Sequence, residues 1–274
     1  MSLAALKIAH SMTIKFAPSI ALPGAPSQGG TDSLQASKEM VINFGVVIPV
    51  FNESRLALLL PRFDFTSPCQ VVVINDGSDD GATAVTAQFP VAVLKHDRRL
   101  GVGAAIRTGL FYLKAHGVQV ALVMAGNNKD NPADISAILE PICAGADYVQ
   151  GSRFIIAETA KATPLVRRII TRAVAWLWSI RFTRKLTDVT NGFRGYRLSL
   201  LDDPNIDVSQ TWLDRYELEY YLHYKVLSLG YKYAEVPVAK CYPTDGLPTS
   251  NIRLRRDFWS LMRPLLLLTL RVKK

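Results

Sequence analysis

The chain is poor in the residues that would mark a metal protein or a disulfide scaffold. Its 274 residues include three cysteines, Cys69, Cys143 and Cys241, and four histidines. The cysteines are widely spaced and odd in number. They set out neither a zinc pattern nor a disulfide framework, which fits a reducing compartment. No run of about 20 apolar residues exists, so no membrane-spanning helix is predicted. The stretch from Met1 to Met12 lacks the apolar core of a secretory signal. Residues 1–40, rich in Pro, Gly, Ser and Ala from 18 to 37, read as a flexible N-terminal extension. Acids are scarce in two places. From Pro164 to Lys185 there are six Lys or Arg and no acid, and from Asn251 to Lys274 seven Lys or Arg face one Asp. The net charge of +9 therefore sits unevenly and implies an anionic partner: nucleic acid, a membrane surface or a phosphorylated substrate.

What is present begins with 49 % hydrophobic residues, enough to fill one large α/β domain. Gly45 to Asp80 organises the rest. Val46-Val47-Ile48 runs into Pro49-Val50-Phe51-Asn52-Glu53, and Val71-Val72-Val73-Ile74 runs into Asn75-Asp76-Gly77-Ser78. Unalternating β-branched runs predict strands covered on both faces, as in a parallel sheet. Leu56, Leu58, Leu59 and Leu60 suit a short helix between them, stopped near Pro61. Such a strand–helix–strand unit crosses over right-handed, and ligands of such sheets sit beyond the carboxyl ends of the strands. Both polar tails fall at that edge. They are either ordinary turns or the walls of a nucleotide or sugar site.

Further along, a helix is predicted over 82–89, a strand over 91–94, a helix over 104–116 and a strand over 118–124. Gly101 and Gly103 precede the second of these helices, and they suit either a phosphate approach or a plain turn. Asn131 as N-cap and Pro132 as first helical residue start a helix carrying Ile135, Ile138, Leu139 and Ile142. Residues 148–150 form a strand ending in Gly151-Ser152-Arg153-Phe154. A basic amphipathic helix follows over 165–180 with Trp176 and Trp178. Residues 187–197 are polar and unlike core. A helix over 212–229 and a strand over 231–238 complete the domain, read as 41–250. Residues 251–274, with a bend at Pro264, form a basic amphipathic helix bearing Phe258 and Trp259. Such a helix suits a membrane interface or a terminal packing role. His96, His116 and His223 read as structural.

The ordered set PVFNE (49–53), INDGSDDG (74–81), the polar turn 125–132, GSRF (151–154) and TNGFR (190–194) resembles the family 2 glycosyltransferases, near the polyprenyl- and dolichyl-phosphate sugar transferases. The resemblance implies a GT-A fold: an α/β, Rossmann-like, mostly parallel central sheet with helices on both faces, here followed by the C-terminal basic helix. It implies inverting transfer of a sugar from a nucleotide-diphosphate donor (a UDP- or GDP-sugar) to a membrane-associated acceptor, a polyprenyl phosphate or lipid-linked glycan. It also implies a cytoplasmic, peripheral position on the inner face of a membrane. By the same resemblance Pro49, Phe51, Glu53, Asp76, Gly77, Arg98, Gly101 and Asn127 bind the donor nucleotide, with Arg99 nearby. Arg153, Asn191 and Arg194 meet the acceptor phosphate and diphosphate. Asp188 belongs to the loop closing over the donor.

One departure stands out. The family's Asp-x-Asp, with Gln two residues on, holds Mg²⁺ or Mn²⁺; the corresponding residues here are Ala125, Asn127 and Lys129. A hard divalent cation prefers carboxylate oxygens, so three readings stand. Lys129 replaces the metal as a point charge; Asp130, with Asn127 or Asn128, holds a shifted metal; or the chain only binds nucleotide sugar. For a hydroxyl acceptor, Asp188, Asp214, Glu217 and Glu219 are candidate bases. A lipid phosphate, with its second pKa near 6, needs none, and Arg153 with Arg167 and Arg168 would position it. The basic residues flank apolar, Trp-bearing helices rather than a base-stacking surface, which argues against nucleic acid. The glycine-rich N-terminal loop of the nucleotidylyltransferases is missing. Nothing in the sequence sets the oligomeric state.

Overall fold

The computed structural model describes residues 42–67, 69–160, 163–242 and 254–273. The extension read over 1–40 lies outside the described residues. Seven strands form one sheet: β1 (Phe44–Val50), β2 (Cys69–Asn75), β3 (Ala92–Lys95), β4 (Val120–Val123), β5 (Tyr148–Ser152), β6 (Arg194–Arg197) and β7 (Tyr233–Pro237). Their order is β3-β2-β1-β4-β6-β5-β7. The β1–β2, β2–β3, β1–β4 and β5–β7 pairs are parallel. Only β6 is reversed, antiparallel to both β4 and β5. Every other strand therefore ends at the same edge.

The helices are α1 (Leu56–Leu59), α2 (Val102–Ala115), α3 (Ile135–Cys143), α4 (Ala157–Ala160), α5 (Leu165–Phe182), α6 (Glu217–Ser228) and α7 (Leu254–Thr269). They cover both faces. Val47, Val72 and Ile74 pack with Leu110 and Leu113 of α2 and with residues of α5, α6 and α7. Val46, Ile48, Val71 and Val73 point the other way, onto Leu56 and Leu59 of α1 and Ile138 and Ile142 of α3. A strand buried on both faces has no polar side, which is why these runs do not alternate.

Three expectations change. Residues 82–89 make only a 3₁₀ turn, Ala84–Gln88. Thr83, Val85 and Thr86 are stiff β-branched residues, and the Thr86 hydroxyl donates to the Thr83 carbonyl at 2.6 Å. Residues 212–229 divide into a 3₁₀ turn, Thr211–Leu213, and α6. The polar segment 187–197 contains β6, a buried strand in mid-sheet. Its arginines hid it. Arg197 donates to the Ala146 and Ile142 carbonyls, and Gly195 lets α3 lie close, since a Cβ there would come within 2.5 Å of Ile138.

The C-terminal helix α7 runs through Pro264 as one element. Met262, Leu265 and Leu268 are buried in the core beside α6. That face of α7 is spent on the fold, while Leu266, Leu270 and Val272 remain exposed. No described helix is long and apolar enough to cross a membrane. The three cysteines are unpaired thiols.

His223 on α6 is fully buried among aromatic rings, 5.2 Å from Tyr148, 5.2 Å from Trp178 and 5.0 Å from Tyr233 by centroids. Neither ring nitrogen has a hydrogen-bond partner. Burial, with Arg194 and Arg184 adding to it, holds its pKa well below 6.5. The unfolded chain therefore takes up a proton below pH 6.5 that the folded chain refuses, and stability is lost as pH falls through that range. The linkage reaches about 1.4 kcal/mol per pH unit for one group. Thermal melts from pH 7.5 to 5 should show His223→Phe losing less stability than the parent chain; an equal loss at every pH would exclude this imidazole as a source.

Candidate active site

The shared strand edge holds a cavity of about 220 Å³. Each wall comes from a strand end. Phe51 and Glu53 follow β1, Asp76 follows β2, Arg99 follows β3, and Asn127 and Lys129 follow β4. Arg153 follows β5 and Lys240 follows β7, while Thr190 and Gly192 lie just before the reversed β6. Arg167 of α5 and Glu219 and Tyr220 of α6 close the far side.

The nucleotide-side residues are tightly organised. Asp76 is 3 % exposed. Its carboxylate accepts from the Leu100 and Gly101 amides, both at 2.8 Å, and meets His96 Nδ1 at 2.8 Å. His96 Nε2 reaches the Thr108 hydroxyl at 3.0 Å, tying this turn to α2. Asp76 thus fixes the loop that carries Arg99, whose guanidinium lies over the Phe51 ring at 4.0 Å from its centroid. The β1 and β2 tails are laced together. Asn52 donates to Asp79 at 2.8 Å, and its amide donates to the Ser78 hydroxyl at 3.1 Å.

The phosphate-approach reading of Gly101 and Gly103 gives way to packing. The Gly101 amide is taken by Asp76, and the Ala104 amide donates to the Asp214 carbonyl at 3.0 Å. A Cβ on Gly103 would come within 2.0 Å of the Leu213 carbonyl oxygen. Gly77, at φ +74°, likewise admits the 98–99 backbone. Neither Gly77, Arg98 nor Gly101 lines the cavity; Arg99 does.

Arg153 is held at its position. Its Nε and one terminal nitrogen donate to the two Asp188 oxygens at 2.7 and 2.9 Å, and the same nitrogen donates to the Thr190 hydroxyl at 2.7 Å. Burial opposes its charge, but Asp188 outweighs burial and lifts its pKa above the usual arginine range. Asp188 is itself fully buried with both oxygens engaged. Its carboxylate is turned onto Arg153 and does not line the cavity.

Several other expected site residues turn inward. Asn191 is 1 % exposed; it donates to the Gly151 carbonyl and accepts from the Phe193 amide. Arg194 is also 1 % exposed, bonded to the Tyr148 hydroxyl and the Asn191 and Glu219 carbonyls, with Glu219 Oε1 3.2 Å from its Nε. Both shape the loop and leave Thr190 and Gly192 to face the cavity. Glu217 is buried away from the cavity, 3.6 Å from Arg263. Asp214 pairs with Arg107 at 2.7 Å. Of the candidate bases only Glu219 lines the cavity, and burial, opposed by Arg194, raises its pKa.

The turn after β4 presents Lys129, 4 % exposed. Burial, joined by repulsion from Arg167, Lys240 and Arg55 and opposed by Asp130, pulls its pKa down to about 8. Asp130 is fully buried, with Lys240 Nζ 2.6 Å from Oδ1. Asn128, at φ +55°, is turned away and accepts from Arg62 at 2.5 Å. The donors do not fit a hard divalent ion. Ala125 offers none, Asn127 offers an amide and Lys129 a cation, while the Asp130 carboxylate faces Lys240 outside the cavity lining. Among the described residues no three His, Cys, Asp or Glu side chains form a metal-binding group. Sequence reasoning missed Lys240. A strand parallel to β5 had to deliver its end to the same edge, but neither the pairing nor the direction of β7 is written locally.

Residues 45–203 match the model of glycosyl transferase family 2. The chain belongs to that family. Among curated proteins, the transferase is 26 % identical over 227 residues to polyprenol monophosphomannose synthase of Mycolicibacterium smegmatis, covering 80 % of this chain and 84 % of that one. It is 29 % identical over 199 residues to undecaprenyl-phosphate mannosyltransferase of Micrococcus luteus, covering 70 % and 81 %. Among solved structures, mannosyl-3-phosphoglycerate synthase from Rubrobacter xylanophilus superposes with a TM-score of 0.61 at 15 % identity, covering 85 % and 76 %. Glucosyl-3-phosphoglycerate synthase from Mycobacterium tuberculosis, solved with Mg²⁺ and UDP, gives 0.56 at 17 %, covering 84 % and 79 %. The fold is GT-A, as the motif order implied.

Removing one member of the buried Arg153–Asp188 pair strands the other charge. Asp188→Ala should cost the transferase about 3–5 kcal/mol in urea unfolding. Arg153→Ala combined with Asp188→Ala should cost clearly less than the sum of the singles. Additive costs would mean that the pair is not coupled.

Proposed function

We propose that this transferase moves a sugar from a nucleotide-diphosphate donor to a polyprenyl phosphate at a membrane surface. The observation that carries the reading is α5, which serves the cavity and an exposed apolar surface at once. Its Arg167 lines the cavity, and its Thr171 hydroxyl accepts from the Thr190 hydroxyl at 3.3 Å. Its outer side exposes Leu165, Val166, Ile169, Trp176 and Ile180, each about 60 % accessible, among Arg172 and Arg181. An apolar stripe with Trp and flanking cations suits a lipid interface with anionic head groups. A prenyl chain lying against α5 would bring its phosphate toward Arg167 and Arg153. The names of the curated relatives support the same acceptor class.

Phe51, Arg99 and Glu53 form the nucleotide end of the cleft, and Asp76 keeps Arg99 in place. The acceptor phosphate is already ionised at neutral pH, so its oxygen attacks the anomeric carbon without a base. The bond from that carbon to the donor diphosphate breaks, the nucleoside diphosphate leaves with the electron pair, and the configuration inverts. Arg153 and Arg167 offset the charge that gathers between the two phosphates. The reducing compartment read from the cysteines favours the cytoplasmic face. A hydroxyl acceptor is the second reading, favoured by Glu219, a cavity carboxylate with a raised pKa suited to a general base, and by the phosphoglycerate acceptors in the structural neighbours' names.

Purified protein on anionic vesicles containing polyprenyl phosphate should transfer labelled sugar from a UDP- or GDP-sugar. Arg153→Ala should lower kcat/KM at least a hundredfold. Trp176→Glu with Ile180→Glu should weaken vesicle binding at least fivefold and leave nucleotide affinity unchanged. Label appearing on 3-phosphoglycerate and not on the lipid would favour Glu219 and the second reading.

A further inference from the structure

We infer that this transferase holds the diphosphate of its donor with Lys129 in the position where its family uses a divalent metal, and that nucleotide binding is therefore independent of Mg²⁺ or Mn²⁺. The inference rests on the nucleotide-sugar reading above. It stands on how charge is arranged around the cavity. The carboxylates that line it are already engaged: Asp76 by two amides and His96, Glu53 by the Arg55 amide at 3.3 Å, and Glu219 by Arg194. Arg153 and Lys240 are balanced from behind by Asp188 and Asp130.

Lys129 is balanced less well: the attraction of Asp130 is outweighed by burial and by the repulsion of Arg167, Lys240 and Arg55. Its Nζ lies 5.6 Å from the centroid of the Tyr242 ring, while the neighbouring Asp130 carboxylate is paired with Lys240 at 2.6 Å. Lys129 is 4 % exposed and lines the cavity. A buried ammonium whose charge is only partly offset is costly, so the side chain gains most when an anion enters. Lys240 reinforces the position, because the Cys241 amide donates to the Lys129 carbonyl at 2.9 Å and binds the segment after β7 to the turn after β4. The turn itself is pinned by Arg62, which donates to Asn128 and Asn131. The result is a rigid cationic cradle at the strand edge, with the chemistry to take a nucleoside diphosphate. A lysine does this as a point charge, without the carboxylate ligands that a hard cation demands.

The test is calorimetric titration of the full chain with UDP and GDP, first in EDTA and then in Mn²⁺. Binding should survive EDTA, and Mn²⁺ should change Kd less than threefold. Lys129→Met should weaken binding at least tenfold while the ligand-free melting temperature stays equal or rises, since the variant removes a buried charge that its neighbours offset only in part. The triple variant Ala125→Asp, Asn127→Asp, Lys129→Gln restores the family pattern and should gain at least tenfold in affinity on adding Mn²⁺. Binding by the parent chain only with Mn²⁺, or unchanged affinity in Lys129→Met, would overturn the inference and leave the transferase reading intact. No binding of either nucleotide under either condition would overturn both.

Discussion

The architecture depends on one constraint: six strands pointing the same way must all end at one edge. A chain that buries both faces of its sheet has no other place to put polar residues, so the edge collects them. Phe51, Asp76, Lys129, Arg153 and Lys240 are far apart in sequence and meet there because their strands are parallel. The single reversed strand, β6, adds the remaining wall. Because it runs the other way, its entry and not its exit lies at that edge, which brings Thr190 and Gly192 over the cavity.

This constraint also explains what could be read in advance. The β1 and β2 runs and their polar tails are local features, so the sheet edge and several of its residues were legible. Lys129 was legible because the residues around it keep the turn chemistry, Asn131 and Pro132, while the expected acids are missing. Arg194, Asn191 and Asp188 were harder. Their residue types fit ligand binding, but burial turns them into braces, and burial depends on neighbours the sequence does not name. Arg194 finds the Tyr148 hydroxyl, 46 residues away. The same blindness hid β6, whose charges are satisfied by carbonyls from other elements. Gly103 was ambiguous for a related reason. A glycine before a helix can admit a phosphate or a passing backbone, and only the position of the 211–215 turn decides.

The two basic segments, alike in composition, have different places in the fold. In α7 the apolar residues at 262, 265 and 268 lie in the core, with Arg263 over the Trp212 ring. In α5, Val174, Ala175 and Trp178 are buried while Trp176 and Ile180 are not. Amphipathicity alone cannot say which apolar face is taken by the fold. That is settled by how much of the helix surface its neighbours cover.

The placement of acids links the charge pattern to the chemistry. In a metal-dependent cleft, carboxylates face the substrate because the cation needs ligands. Here Asp188 and Asp130 stand behind Arg153 and Lys240 and hold those cations toward the cavity. Two substrates that each bring phosphate charge into one cleft repel each other, and in the low dielectric of a closed site that repulsion is severe. Fixed cations with their counter-charges buried behind them meet it without reorganising as the bond breaks. Such an arrangement asks for rigidity, and the chain supplies it through the bidentate Arg153–Asp188 pair, the Arg62 clamp on the β4 turn and the bond from Cys241 to Lys129.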